Sequence, residues 1–237
     1  MAVVQRHCPR IALFGAYTVL LSEVMHLVQA SRLALAETLL AAGPTADTLC
    51  DGWQTRHLAA HLVVRERSLL AAGVVFKPLS KKLDAKVNEL AAEAQSPEHY
   101  ASLIRAFRSG PAKYSPFVID KVDQAANLAE YFIHTEDVRR ARAQWAPRVL
   151  DKEYTELLWQ SLTRMSRLLF RKAPVGIILT RPDGQRHVAK KAPNAVSITG
   201  PVTELMLYGF GRIDQSLVLF EGGETALEIV KGYKPGF

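Results

Sequence analysis

The pattern of apolar residues changes near Ala173–Pro174, and this change constrains the fold more than any other feature of the chain. Before it, leucines recur at the three- and four-residue spacing of amphipathic helices, as in HLVQASRLALAETLLAA. After it, the β-branched run PVGIILT and the segment QRHVAKK flank Pro182–Gly184, which predicts a hairpin turn. The sequence therefore predicts an α+β protein whose helices and strands lie in different parts of the chain.

Four long helices are predicted before this change, and their ends carry ordinary capping signals. They run from Met25 to the stop at Gly43–Pro44, from about Thr55 to Ala72, from roughly Ile119 to Ala143, and from the cap Asp151 to Lys172. Residues 77–109 are predicted to form a connection that holds short helices, one of them capped by Ser96. Four helices with one long connection are typical of a bundle, so we predict a helical bundle over residues 25–172.

A smaller α+β unit is predicted over residues 173–237, with the domain boundary at about residue 173. After the hairpin, AVSITG reads as a strand and PVTELMLYGFGR as a helix that opens at a proline and ends near Gly211. LVLFEGG and ETALEIVKG then predict one more strand and a short final helix.

Residues 1–24 allow more than one interpretation, and we treat them as an N-terminal extension. A basic start is followed by IALFGAYTVLLS, an apolar run of about eleven residues that resembles the core of a signal peptide and is too short to span a bilayer comfortably. The nearest small-residue cleavage site, Val28–Ala30, is poorly marked. The alternatives are that the run extends the first helix, or that it is a loosely docked tail before a true start at Met25.

The two cysteines, Cys8 and Cys50, have no CxxC spacing and form no disulfide framework. This usage suits a reducing cytosol, so we expect a cytoplasmic protein without a membrane span. The neighbours of Cys50, Leu49 and Trp53, predict that this cysteine packs in the fold and is not a nucleophile.

The net charge of +7 allows nucleic acid or an anionic surface as a partner. However, the basic residues are scattered as pairs, such as Lys81–Lys82, Arg139–Arg140 and Lys190–Lys191, and form no long block. A basic solvated surface around a site for an anionic small molecule is therefore favoured over a nucleic-acid module. The sequence contains no glycine-rich phosphate loop and no GxSxG motif.

Two histidines and one glutamate are the candidate ligands of a metal. His61 lies in the helical segment WQTRHLAAHLVVRE, and Glu130 and His134 lie four residues apart, on one face of the segment NLAEYFIHTEDVRRA. A single histidine on an apolar helix face is more often a hydrogen-bonded core residue, but an unpaired glutamate there would be costly to bury. Two imidazoles and one carboxylate are the ligands of an open zinc site, and the same set accepts Fe, Ni or Mn. If the two helices pack side by side, the chain holds a divalent metal, with Zn²⁺ as the first choice.

These segments also carry a resemblance to a known family. LCDGWQTRHLAAHLVVRE and NLAEYFIHTEDVRRA resemble the actinobacterial branch of the mycothiol-dependent maleylpyruvate isomerase family, within the wider DinB-like metal-binding superfamily. In that family the histidine of a W-x-x-x-D-L-x-x-H-type motif and the Glu and His of an E-x-x-x-H-x-x-D motif bind the metal. The resemblance implies these roles for His61, Glu130 and His134, with Asp137 as a supporting residue.

The resemblance covers about residues 25–232 and extends to the C-terminal part. GPVTELMLYGFGR resembles the G-P-x-x-E-L-x-x-x-x-x-G-R segment of the family's C-terminal domain, which is similar to sterol-carrier-like folds. The implied fold is a DinB-like four-helix bundle followed by a small sterol-carrier-like α+β domain.

His57 departs from the family pattern, which usually has an acidic residue at this position. An aspartate in the first turn of a helix complements the helix dipole, and a histidine does not. His57 lies four residues before His61 and could therefore compete as a ligand, although its first-turn position favours a place beyond the metal layer.

Other polar residues are candidates for supporting or substrate-binding roles. Asn127, one turn before Glu130, is predicted to support the site from outside the ligand set, as is Asp137. Arg65, one turn beyond His61, could hold an anionic substrate near the metal, with a solvated surface arginine as the alternative. The resemblance would let Arg212 bind a substrate carboxylate, and a simple charge at a helix C-terminus is the alternative there.

An open site with two histidines and one glutamate can activate a thiol. A divalent ion held this way can bind a low-molecular-weight thiol in its fourth position and deprotonate it at neutral pH. The thiolate could add to an electrophilic carbon and leave again, which gives cis–trans isomerisation, or stay attached, which gives thiol transfer. In the resembling family the thiol is mycothiol and the type reaction isomerises maleylpyruvate.

The predicted function is therefore a divalent-metal-dependent thiol transferase or isomerase acting on a small anionic electrophile. One alternative is a hydrolase that uses the same metal to activate water. A second is a metal- or ligand-binding protein without catalysis.

Overall fold

A computed structural model describes residues 9–68, 77–112 and 120–236, with side chains over 26–68, 81–112 and 127–236. Within these residues the chain forms eight helices and a four-stranded mixed sheet. In chain order the elements are α1 (Pro9–Ala42), α2 (Thr55–Arg67), α3 (Lys77–Glu93), α4 (Pro97–Arg108), α5 (Asp120–Arg139), α6 (Lys152–Leu169), β1 (Ile177–Thr180), β2 (Arg186–Lys190), β3 (Val196–Thr199), α7 (Val202–Gly209), β4 (Leu219–Glu221) and α8 (Glu224–Lys231). The predicted α+β class is confirmed.

Helix α1 begins at Pro9, well before the predicted start near Met25, so the apolar run continues the first helix. A proline suits the first turn, where its missing N–H has no helical partner to lose. The predicted end is confirmed: Gly43 has a positive φ of 79°, and its N–H donates to the carbonyl of Leu39 at 3.1 Å. No described helix combines the length and apolarity needed to cross a membrane.

The helical part differs from the prediction in further places, one of which is the end of α5, at Arg139 instead of Ala143. Helix α2 ends at Arg67 instead of Ala72, because Ser68 has an extended backbone with φ −114° and ψ 145°. Residues 77–109 contain two full helices, α3 and α4, where only short helices were predicted. Ser96 caps α4 as predicted, and its hydroxyl accepts the N–H of His99 at 3.3 Å.

Helices α1, α2, α4, α5 and α6 pack around one apolar core, in which α1 lies along α5 and α2 contacts α4. Helix α3 packs against other side chains of α2 in a smaller separate cluster. Leu35 and Leu39 of α1 and Leu58 and Leu62 of α2 are completely buried. Each such side chain contributes about 1.5–3 kcal/mol to folding. This packing sets α2 and α5 close enough for side chains to meet between them.

The strands form one sheet in the order β2–β1–β3–β4. β1 and β2 are the predicted hairpin, β1 and β3 are parallel, and β3 and β4 are antiparallel. Ile177 and Leu179 of β1 alternate with half-buried residues and point into the core, which continues without a break from Val28 to Val230. The first strand starts just after the predicted boundary, and the division into two domains at residue 173 stays a prediction.

Candidate metal centre

The three predicted ligands come together between α2 and α5. Nε2 of His61 lies 3.0 Å from Oε1 of Glu130, and Nε2 of His134 lies 3.1 Å from the same oxygen. Donor atoms of the three residues all lie within 4.8 Å of one another. Ligand atoms around a tetrahedral zinc, with bonds of about 2.0–2.2 Å, are roughly 3.3 Å apart. The donor set therefore fits a shared divalent ion, although metal binding itself stays a prediction.

The charges around Glu130 and His134 favour the ionised form of each. Burial alone would raise the pKa of Glu130, but Arg65 and the two histidines hold it well below its usual value. Burial alone would lower the pKa of His134, but Glu130 and Asp137 raise it well above its usual value. A metal needs a neutral imidazole, so binding at Nε2 of His134 would replace a proton.

Asp137 holds the second nitrogen of His134. Its Oδ2 lies 2.8 Å from Nδ1 of His134, a contact that fixes the ring and leaves Nε2 turned towards Glu130. Burial works to raise the pKa of Asp137, but hydrogen bonds from His134 and Arg212 lower it to about 2. The structure thus places Asp137 where a supporting residue was predicted.

Arg212 reaches the site from the C-terminal part of the chain. It follows Gly211, whose φ of 83° turns the backbone after α7. Nε and Nη2 of Arg212 donate to the two carboxylate oxygens of Asp137 at 2.8 and 2.7 Å. Nη1 of Arg212 also donates to the carbonyl of Phe210 at the end of α7, at 2.7 Å, so the guanidinium makes the helix-end contact as well as a bidentate pair with a buried carboxylate. Binding of a substrate carboxylate by Arg212 stays a prediction.

Arg65 and Asn127 form a buried pair beside the ligands. Nη1 of Arg65 donates to Oδ1 of Asn127, and Nε of Arg65 lies 3.5 Å from Oε1 of Glu130. Arg65 is only 5% exposed, so the alternative of a solvated surface arginine is wrong. Asn127 thus contacts Arg65 beside Glu130, and its own Nδ2 has no hydrogen-bond partner among the described atoms. Its supporting role stays a prediction.

His57 has a capping role at the start of α2. Its Nδ1 accepts the N–H of Gln54 at 3.2 Å, the contact that an acidic residue makes in a capping box. Burial and the neighbouring Arg56 lower the pKa of His57, which keeps the ring neutral as this acceptor requires. Among the described residues, the converging donor group contains His61 and not His57.

Cys50 lies closer to the site than the sequence indicated. Its Sγ is 3.2 Å from Oδ2 of Asp137 and 3.5 Å from Nη2 of Arg212. Together with His134 and Asp137 it forms a second group of donor atoms within 4.8 Å. The loop before α2 is tied to α5 by a hydrogen bond from the N–H of Leu49 to the carbonyl of Asp137. No sequence pattern indicated that this loop returns to α5, which is why the contact was missed.

Comparison with solved structures finds chains of similar fold. A mutant of the mycothiol-dependent maleylpyruvate isomerase matches with a TM-score of 0.55 and 16% identity, over 85% of this chain and 92% of that chain. A second structure, of the mycothiol-dependent maleylpyruvate isomerase, matches with a TM-score of 0.54 and 15% identity, over the same shares of the two chains. The fold is similar to that of this isomerase.

The resemblance predicted from the two motifs is thus confirmed at the level of the fold. Comparison with protein-family models and with curated proteins finds no significant match. At this identity the structural likeness shows a shared architecture, so substrate and reaction have to be argued from the site itself.

Proposed function

We propose that this protein is a divalent-metal-dependent enzyme that activates a low-molecular-weight thiol and works as a transferase or isomerase. The observation that carries the proposal is the convergence of donor atoms from His61, Glu130 and His134 on two neighbouring helices. Zn²⁺ is our first choice, and Fe, Ni or Mn suit the same ligands. Mycothiol is the proposed thiol, in keeping with the solved structures of similar fold.

The three residues would supply three ligands and leave one coordination position free. A bound divalent ion would lower the pKa of a thiol in that position and so provide the nucleophile at neutral pH. Asp137 would keep His134 oriented, since it holds Nδ1 while Nε2 faces the ion. The ring of Trp53, centred 5.4 Å from the ring of His61, would cover one side of the site.

Two arginines make a small anionic electrophile the proposed substrate class. Arg65 and Arg212 place two positive charges near the ligand group, one beside Glu130 and one beside Asp137. A substrate carboxylate that approached the metal-bound thiol would be attracted by both charges. This would orient the electrophilic carbon towards the thiol and exclude uncharged competitors.

The arrangement of the chain is part of the proposal. We assign residues 25–172 to a DinB-like helical bundle and residues 173–237 to a small sterol-carrier-like unit that contributes Arg212. The confinement of the strands to Ile177–Glu221 supports this division. The cytoplasm is the proposed location, because a reducing compartment keeps both the thiol substrate and Cys50 reduced.

The proposal is tested on protein purified without chelator. We expect about one divalent metal per chain and thiol-dependent turnover of maleylpyruvate or of another small anionic electrophile from a panel. His134→Ala should lose both metal and activity. Turnover that needs metal but no thiol would identify a hydrolase, and retained metal without any thiol or substrate effect would identify a non-catalytic binding protein. Equal activity in His134→Ala would show that the mechanism is assigned wrongly.

A further inference from the structure

A basic groove lies between the C-terminal end of α6 and the edge strand β2, outside the candidate metal centre. It is open to solvent, has a volume of about 480 Å³ and is lined by Arg167, Arg171, Val188, Ala189, Lys190 and Lys191. Four of these six residues are cationic and none is acidic. We propose that this groove binds a compact anion with several negative charges, of the inorganic or organic diphosphate class.

Arg167 and Arg171 differ from most other described arginines because they have no carboxylate partner. Arg139, Arg140 and Arg148 all pair with Glu136, at distances from 2.6 to 2.8 Å. Within the part of the chain that the structure describes, no acidic group lies within 4.0 Å of Arg167 or Arg171. Their charges are therefore available to a ligand.

A contact with the backbone explains the position of one cation of the groove, Lys190, but not the positions of the other three. The Nζ of Lys190 is already engaged, because it donates to the carbonyls of Arg171, at 2.9 Å, and of Ala173, just beyond the end of α6. Arg167 lies in the last turn of α6 and Arg171 lies two residues beyond its end, and neither side chain is needed for that contact. An anion between these cations would reduce their mutual repulsion.

Charge and size indicate the class of anion. Arg167, Arg171 and Lys191 are exposed and offer about three positive charges, which a diphosphate matches at neutral pH because each phosphate group carries about 1.5–2 negative charges. Planar guanidinium groups bind phosphate oxygens in pairs, and a lysine adds a point charge. The cavity lies within the range of about 300–1,000 Å³ that small-molecule sites occupy. Val188, which is 49% exposed, gives the groove one apolar wall that an organic substituent could cover.

The test is a calorimetric titration of the metal-loaded protein with inorganic pyrophosphate at low salt. We expect saturable binding with one site per chain. The double variant Arg167→Glu, Arg171→Glu should bind pyrophosphate at least tenfold more weakly. The single variant Lys191→Glu, at a position outside the helix, should show the same loss of affinity. Arg164→Glu is the matched control, since Arg164 is an exposed arginine of the same helix outside the groove. Its affinity should change less than twofold.

Each other result would overturn the proposal. Absence of saturable binding would do so, as would equal binding in the groove variants, which would locate the pyrophosphate at the metal or elsewhere. Parallel titrations use a single-stranded RNA and vesicles that contain anionic phospholipid. If these bind through the groove and pyrophosphate does not, the groove is a macromolecular surface and not a site for a small anion.

Discussion

His134 has a carboxylate at each nitrogen of its ring, and this arrangement determines how it can act. Nε2 faces Glu130 at 3.1 Å and Nδ1 faces Asp137 at 2.8 Å. Asp137 is in turn held by Arg212 from the C-terminal part of the chain. The ring therefore cannot turn without breaking a buried contact, and only Nε2 is directed at the other two ligands.

We predict that zinc binding to the metal-free protein at pH 7 releases about one proton from His134. The pKa of this imidazole is raised well above its usual value, so the ring is protonated at pH 7, and it must become neutral to bind zinc. The apparent zinc affinity should therefore rise with pH, by about tenfold per unit, until the pKa of His134 is passed. Calorimetry in two buffers of different ionisation enthalpy measures the proton count. Binding heats that do not depend on the buffer would contradict this prediction.

A second prediction concerns Asp137. Asp137→Asn keeps the shape of the side chain but removes its charge, so Arg212 loses its carboxylate partner and His134 loses one of its two. We expect zinc affinity to fall about 10–100-fold, as for other residues that orient a metal ligand. Competition with a chromophoric chelator measures the affinity. Asp214→Asn is the control, because Asp214 is exposed and lies two residues from Arg212, and its zinc affinity should match that of the unchanged protein.

At the scale of the element, α2 carries two histidines one turn apart with different roles. His57 accepts the N–H of Gln54 at the start of the helix, and His61 faces Glu130. We predict that His57→Ala keeps the metal and lowers the free energy of unfolding by about 1 kcal/mol, the usual cost of a lost cap. His61→Ala should lose the metal. Metal analysis and denaturant unfolding of the two variants separate the roles, and loss of metal in His57→Ala would disprove the capping assignment.

Several strands and helix ends could be predicted from the sequence, and others could not. The strands were recognisable because a β-branched run precedes a Pro–Asp–Gly turn. Ser96 and Asp151 marked helix starts as ordinary N-caps. Helix α3 was underestimated although its buried residues Leu83, Val87 and Ala91 are spaced by four. The end of α2 was placed too late because apolar residues continue after Ser68, and a local pattern does not reveal where the backbone turns.

The candidate site was predictable where it depends on local spacing. Glu130 and His134 are one helical turn apart, so their shared face follows from the sequence. The contacts of Cys50 and Arg212 with Asp137 depend on how a loop and the C-terminal part pack against α5. Those contacts join residues far apart in the chain and leave no local pattern.

At the scale of the whole molecule, the C-terminal part contacts the helices through buried ion pairs as well as through apolar packing. Both terminal nitrogens of Arg140, the residue after α5, donate to Glu204 on α7 at 2.8 Å, and both side chains are fully buried. Arg212 makes the second ionic link, directly behind the ligand His134. The position of α7 is therefore coupled to the geometry of the candidate site.

We predict that Glu204→Leu destabilises the protein by about 3 kcal/mol, the low end for a broken buried pair, because Arg140 loses Glu204 but keeps Glu136 as a carboxylate partner. Arg140→Met combined with Glu204→Leu should recover a large part of the loss, since neither charge then stays buried alone. Denaturant unfolding measures both variants. A double variant that is no more stable than Glu204→Leu would show that apolar packing, and not the buried charge, dominates this contact.

X-ray absorption at the zinc edge, before and after addition of mycothiol, tests the central claim most directly. We predict that zinc in the resting protein has nitrogen and oxygen neighbours only, at about 2.0–2.2 Å, and that mycothiol adds one sulfur neighbour at about 2.3 Å. Cys50→Ser should behave in the same way. An unchanged spectrum on thiol addition would contradict the account, as would a sulfur neighbour that is present before mycothiol and absent in Cys50→Ser.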